Sequence, residues 1–210
     1  MDALIRGIGD TLAVTLACSA AGFSVGLLIA CARRLAPAVL TPLFGLYTYV
    51  LRGVPVLVLL FLVFFGLPPL GIELPPLMAM VLSLGLIASA YLAEVFRGAF
   101  QAIDPDEVLA AQAMGLSRVQ TLVHVELPQM LRLSVPGMVN EFTTVLKYSP
   151  FASMVGIPEI TRQAMNLTAT TLRGLEIYLM VGLLYFAIYR TLLIGIRWLE
   201  HRFRVPGMTP

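Results

Sequence analysis

Charged residues interrupt this chain at long intervals rather than alternating with apolar ones. Three stretches of 20 residues or more carry no charge: residues 11–32 (22 residues), 53–72 (20) and 74–93 (20). Each can form a helix that crosses a hydrocarbon core of ~30 Å, a distance that takes about 20 helical residues. Helices are the expected element, because lipid offers no partner for backbone N–H and C=O groups left open by a strand edge. The two-residue alternation of a membrane barrel is absent. Two further apolar stretches interrupted by single charges complete the pattern. It predicts five spans, at about 10–32, 53–70, 75–96, 133–150 and 175–198, within one transmembrane domain over residues 1–210. The predicted class is an all-α integral membrane protein with about five transmembrane helices.

Composition agrees with that class. The chain is 59% hydrophobic and 12% charged, whereas about a quarter of an ordinary soluble domain is charged. The first span follows an N-terminal segment without a convincing cleavage site and is read as permanent. Cys18 and Cys31 lie 13 residues apart on that span, too far along one helix to bridge, and read as packing residues. His124 and His201 have no Cys or paired His nearby, which argues against a metal site. The chain lacks a GxxxxGK[ST] phosphate loop, so ATP hydrolysis is not its own chemistry. It also lacks HExxH, and nothing suggests nucleic-acid binding.

The Arg residues set the orientation. With the N-terminus outside and the C-terminus in the cytoplasm, the inner side holds Arg33, Arg34, Arg52, Arg97, Arg118, Arg132, Arg197, Arg202 and Arg204. The outer side holds Arg6, Arg162 and Arg173, the asymmetry expected of a chain whose cationic loops stay inside. Residues 35–51 are uncharged but contain Pro37 and Pro42. They read as an inner-face helix or as the lower end of a long tilted second span. Residues 66–76 are Pro-rich and rigid, and 156–174 read as an outer-surface helix and turn.

One segment reads as soluble protein. Asp104-Pro105-Asp106-Glu107 is a helix start, with Asp104 as cap, Pro105 in the first turn and Glu107 placed for a capping box. That helix should end at Gly115, which tolerates positive φ. Ser117 and Gln120 form a second capping box, opening a helix over 118–126 that Leu127-Pro128 closes. The predicted insert, about 99–130, is thus two capped helices joined by a sharp turn on the cytoplasmic side. Such a piece can carry force from a soluble partner into the spans, or it is a well-capped loop between the third and fourth spans; capping and spacing alone fit both.

Charges also fall inside the predicted spans: Glu141 and Lys147 in the fourth, Arg190 in the fifth. A charge at the bilayer centre costs roughly 2.5–3.5 kcal/mol or more, so such groups face a polar interior and find partners. Six residues separate Glu141 from Lys147, which places them on different helix faces. Asn140 and Glu141 can hold a ligand or clamp another helix. Lys147 can line the pathway or snorkel, and Tyr148 can contact a ligand or sit at the interface. Glu94 and Arg97 are spaced for a pair on one helix surface, and Gly22-x-x-x-Gly26 permits close helix packing.

The insert, LAAQAMGLSRVQTLVHVELPQ (109–129), resembles the EAA loop of ABC-importer permeases, with Ala110, Ala111, Gly115, Val125, Leu127, Pro128 and Gln129 matching its pattern. YTYVLRGVPVLVLLFLVFFGLP (47–68), YLAEVFRGAFQAI (91–103), VNEFTTVLK (139–147) and VGIPEI (155–160) are similar, in the same order, to the polar amino-acid subgroup of those permeases. The resemblance implies an importer permease fold. Leu109, Ala110, Ala111, Met114, Gly115, Leu116 and Arg118 would form a coupling helix and turn docked on a cytoplasmic ATPase dimer. It further implies a second permease chain, identical or homologous, an extracytoplasmic solute-binding protein and a bacterial inner-membrane location. ATP and Mg would be bound by the ATPase, with no cofactor on this chain.

By the same resemblance, Arg52, Gly53 and Pro55 belong to a motif that bends and anchors the second span. Asn140, Glu141, Lys147, Tyr148 and Leu59 would lie along the substrate pathway, and Glu94, Arg97 and Pro128 would be structural. The chain departs from the pattern at Leu109, where the loop's Glu is expected, at Leu59, where Gln is common, and at Tyr148-Ser149-Pro150, where Asp-Thr-Ser is usual. Leu109 would make the coupling helix lean on apolar contact rather than on a charge; the other two departures imply either that the solute differs from a polar amino acid or that this is the non-binding half of a permease pair. A self-sufficient ion-coupled transporter or channel is the rival from another class: it would use Glu141 and Lys147 as an ion path but leaves the capped insert unexplained. A membrane enzyme would need a nucleophile and base that the sequence does not offer.

Overall fold

Long apolar runs and well-placed helix breakers produce ten α-helices among the described residues. A computed structural model describes residues 2–203, with side chains for residues 3–195. The helices are α1 (Asp2–Leu35), α2 (Thr41–Gly53), α3 (Val56–Gly66), α4 (Pro76–Gln101), α5 (Pro105–Ala113), α6 (Arg118–Thr121), α7 (Leu127–Leu133), α8 (Val135–Tyr148), α9 (Ile160–Thr171) and α10 (Gly174–Phe203). A π-helical turn, Leu122–Glu126, joins α6 to α7, and a 3₁₀ segment, Ser149–Val155, follows α8. The chain forms two compact units, residues 14–148 and residues 1–13 with 149–210.

Among the described residues, three helices are long and apolar enough to cross a membrane, and α2 with α3 makes a fourth candidate bent by 94°. The bend has a local cause. Pro55 disfavours helical geometry at the residue before it, and Val54 is extended at φ −90° and ψ 127°. Residues 41–53 are therefore a separate helix set at an angle to the next, closer to the inner-face reading than to a straight continuation of the second span. The predicted fourth span, 133–150, is likewise broken. It consists of the end of α7, a break at Ser134, and the 14-residue α8, too short to cross ~30 Å alone at 1.5 Å per residue.

The unit spanning residues 14–148 packs around α4. Leu92, Phe96 and Phe100 of α4 join Ala30, Leu122 and Met130 in one buried cluster, and Phe23 meets Phe96 edge to face at 5.7 Å. The Gly22–Gly26 pattern serves this contact. A Cβ on Gly22 would stand 2.8 Å from the Ala88 Cβ, and one on Gly26 2.9 Å from the Ser89 carbonyl oxygen, so both positions must stay bare for α1 to lie against α4. Cys18 and Cys31 are unbridged.

In the other unit, Leu4, Ile160, Ala164 and Val181 form the core. Glu159, fully buried, caps α9 by accepting from the Thr161 and Arg162 amides, both at 2.8 Å, and accepts from the Tyr185 hydroxyl at 2.8 Å. The predicted surface helix within 156–174 is this α9. Along α10, Leu175, Leu179, Leu183 and Phe186 form an exposed apolar stripe, each at least 60% accessible. An unburied stripe of that kind suits a helix whose neighbour is lipid or another membrane chain.

Candidate functional site

The 94° bend between α2 and α3 does more than shorten a helix. It opens a recess of about 490 Å³ lined by Arg52, Tyr91, Asn140, Glu141, Thr144 and Tyr148, with the Gly53-Val54-Pro55 backbone as one wall. The Arg52 guanidinium lies over the Tyr91 ring, 4.9 Å from its centroid, a cation–π contact that holds the charge in place without neutralising it. Glu141 and Asn140, neighbours on α8, line the same recess. One guanidinium, one carboxylate, an amide and a phenol thus converge on one space. That set can accept a small molecule carrying charges of both signs.

Of the residues the sequence placed along a pathway, Asn140, Glu141 and Tyr148 line this recess, and Lys147 and Leu59 do not. Lys147 is exposed on another face of α8, as its six-residue spacing from Glu141 requires. Arg52, Gly53 and Pro55, expected to bend and anchor the helix, also form the recess wall. Sequence reading missed Tyr91 and Thr144. For Thr144 a signal existed: 141, 144 and 148 recur at helical spacing on one face. For Tyr91 there was none, since only packing brings α4 against Arg52.

Charges at the neighbouring helix ends behave differently. Glu94 accepts from Arg97 at 2.7 Å, the pair its spacing predicted, and also from Arg33 of α1 at 2.8 Å and Thr48 of α2 at 3.2 Å. Arg34 forks onto Glu126 with bonds of 3.0 and 2.6 Å, and the Glu126 side chain is 5% exposed. That second pair joins residues 92 apart and has no local sequence signature.

The cytoplasmic-type insert is built almost as its residues dictate. Asp104 accepts from the Asp106 amide at 2.9 Å. At Gly115, φ is +90°, and the Gly115 and Leu116 amides donate to the Gln112 and Ala111 carbonyls, the paired bonds of a Schellman turn. Ser117 and Gln120 form the reciprocal capping box. Two details depart from expectation. The Glu107 side chain does not return to its own helix start; it accepts from Gln129 at 2.5 Å, fastening α5 to α7.

Leu127-Pro128 also does not close the second helix. Pro128 has no N–H and its ring crowds the carbonyl four residues back. The chain answers with a π turn, in which the Leu127 amide donates to the Leu122 carbonyl, and then continues as α7. Of the predicted coupling residues, Leu109 is 60% and Met114 83% exposed, and Ala110, Gly115 and Arg118 are exposed with them. Ala111 faces inward and Leu116 is half-buried. The tip is therefore an apolar knob on a braced stem.

Comparison with known proteins accounts for this assembly of parts. Residues 22–205 match the family described as binding-protein-dependent transport system inner membrane component. The chain is 35% identical over 185 residues to "Probable amino-acid ABC transporter permease protein YckA" of Bacillus subtilis, covering 88% of this chain and 82% of that one. It is 31% identical to the glutamine transport system permease protein GlnP of Escherichia coli, over 96% and 93% of the two chains. A crystal structure of an amino acid ABC transporter with histidines superposes at a TM-score of 0.86, with 32% identity, covering 96% of this chain and 94% of that one. A methionine ABC transporter, MetNI, at 20% identity and a TM-score of 0.80 over 96% of both chains, shares the fold. This chain belongs to the binding-protein-dependent inner membrane components: it is a multi-pass permease subunit of an ABC importer, a transporter rather than a catalytic chain.

Proposed function

We propose that the chain carries a polar amino acid, or a related small cationic or zwitterionic solute, through the recess between Arg52 and Glu141. The observation that supports this is the pairing of opposite charges held apart around one space of about 490 Å³. An amino-acid zwitterion offers a carboxylate to the guanidinium and an ammonium to the carboxylate, each a charge-assisted hydrogen bond. The named relatives, two of them amino-acid or glutamine permeases and a third, HisQ of Salmonella typhimurium, a histidine/lysine/arginine/ornithine transport permease, favour the same class of solute.

In this reading two permease chains, identical or homologous, line the pathway. An extracytoplasmic binding protein delivers solute, and a cytoplasmic ATPase dimer binds ATP and Mg and closes on hydrolysable nucleotide. Its movement presses on the Leu109–Met114 tip. The Glu107–Gln129 bond and the Arg34–Glu126 fork then pass the displacement into α7 and α1. The N-terminus lies outside and the C-terminus in the cytoplasm, as the Arg distribution favours.

Gly115→Trp tests the coupling half of the proposal. Nothing stands within 4 Å of a Cβ at Gly115, but its φ of +90° strains any side chain, so the turn is spoiled while the core is left alone. The expected outcome is normal membrane insertion, loss of the ATPase from the purified complex, and uptake reduced roughly tenfold or more, the effect of about 1.4 kcal/mol at the interface. Wild-type uptake in this variant would overturn the assignment of the tip.

A further inference from the structure

A second recess, of about 240 Å³, lies where the ends of α1 and α4 meet the start of α2, and Arg33, Arg34, Arg97, Thr41, Gln101 and Phe100 line it. Three guanidiniums face this space. Their carboxylates are Glu94, shared by Arg33 and Arg97, and Glu126, taken by Arg34. Three positive charges against two negative ones leave the cluster with one positive charge in excess. The bonds described engage Nε and Nη2 of Arg34, Nη1 of Arg33, and Nε and Nη1 of Arg97. Each guanidinium has N–H groups beyond these, and Thr41 and Gln101 line the same recess.

A phosphate is the anion whose several oxygens match such a set of forked donors. The surroundings indicate what it is attached to. Beside Thr41, at the start of α2, Val39 is 85%, Leu40 45% and Leu43 61% exposed. A free inorganic ion has no use for those side chains, whereas the glycerol and acyl chains of a lipid cover them. We infer that this recess binds the phosphate headgroup of an anionic phospholipid, with the guanidiniums of Arg33, Arg34 and Arg97 on the phosphate and the acyl chains along Val39 and Leu43. Basic recesses between helix ends at the cytoplasmic leaflet take such headgroups. The leaflet assignment rests on the coupling reading above, because this recess lies at the helix ends that lead into the insert.

The test uses the full chain, purified with whatever subunits accompany it, stripped of lipid in mild detergent and then supplied with phosphatidylglycerol or phosphatidylcholine. Retained lipid is counted by native mass spectrometry. Wild type should keep phosphatidylglycerol in preference to phosphatidylcholine. Gln101→Glu, which can still bond Arg97 but cancels the surplus charge, should weaken phosphatidylglycerol retention roughly fivefold, the worth of about one charge at a membrane surface. Thr41→Asp, an acid in the first turn of α2 where the helix dipole tolerates it, should do the same and serves if the first variant does not fold.

Equal retention of the two lipids by wild type, or unchanged phosphatidylglycerol retention in both variants, would overturn the site. Displacement of the lipid by millimolar inorganic phosphate, with the same dependence on Gln101→Glu, would keep the phosphate chemistry and make the soluble ion its source. ATPase co-purification is scored on the same samples. Its absence would remove the coupling reading and leave the lipid count to be judged by itself.

Discussion

Two groups of charges in the unit spanning residues 14–148 use the same residue types to opposite ends. Around Glu94 and Glu126, both carboxylates lie within hydrogen-bonding distance of a guanidinium, at 2.6–3.0 Å. Around the larger recess, Arg52 rests on the Tyr91 ring and Glu141 lines the same space. Charges paired with one another brace helix ends: Arg33, Thr48 and Glu94 tie α1, α2 and α4 together. In the larger recess the proposed visitor is the solute, met by Arg52 and Glu141; in the braced cluster only the one surplus positive charge is left for a headgroup. The difference teaches that a charge in this bundle is read by its partners rather than by its presence, since Glu94 and Glu141 are the same residue type in unlike surroundings.

That contrast can be broken by mutation, and the largest effect should fall on the recess. Glu141→Gln keeps the shape of α8 and removes the charge. Loss of a hydrogen bond to a charged group is worth about 1.5–3 kcal/mol, so uptake efficiency should fall roughly 10–100-fold with no change in thermal unfolding. Uptake at the wild-type level would show that Glu141 is a structural group after all. The fork comes next. Glu126→Ala strands Arg34, whose side chain is 43% exposed and keeps some water. The cost should be about 2 kcal/mol, below the range of roughly 3–5 kcal/mol for breaking a fully buried pair. Chemical denaturation of the solubilised protein measures it, and the reversed pair Arg34→Glu with Glu126→Arg should recover part of the loss. A loss confined to transport, with stability intact, would move Glu126 from bracing to binding.

The smallest effect is expected at the rim. Arg97→Gln leaves Glu94 its bonds to Arg33 and Thr48, and a half-exposed pair contributes about 0.5 kcal/mol. A shift in unfolding larger than that from Glu126→Ala would reverse the ranking and mean that the Arg97 side of the cluster carries the clasp.

Much of this was written in local chemistry. The helical membrane class, the insert's caps at Asp104 and Ser117, the turn at Gly115 and the Glu94–Arg97 pair all depend on residues within a few positions of one another, where backbone geometry leaves few alternatives. The bare Gly22–Gly26 face was visible too, although only α4 explains it. Where a local rule met a longer-range demand, it gave way. Glu107 left its capping box because Gln129 lay within reach, and Pro128 bent a helix into a π turn instead of ending it because α7 could continue into the core.

The sequence by itself determined that the chain lives in lipid, that its insert is built of capped helices, and that Glu141 needed a polar setting. Tertiary structure decided which charges became partners. The Arg34–Glu126 fork, the Tyr91 face beneath Arg52 and the opening made by the bend at Pro55 all join segments far apart in the chain. The physical reason is that a charge's energy depends on what lies within a few ångströms of it, and in a bundle of helices those neighbours are set by packing rather than by position along the chain.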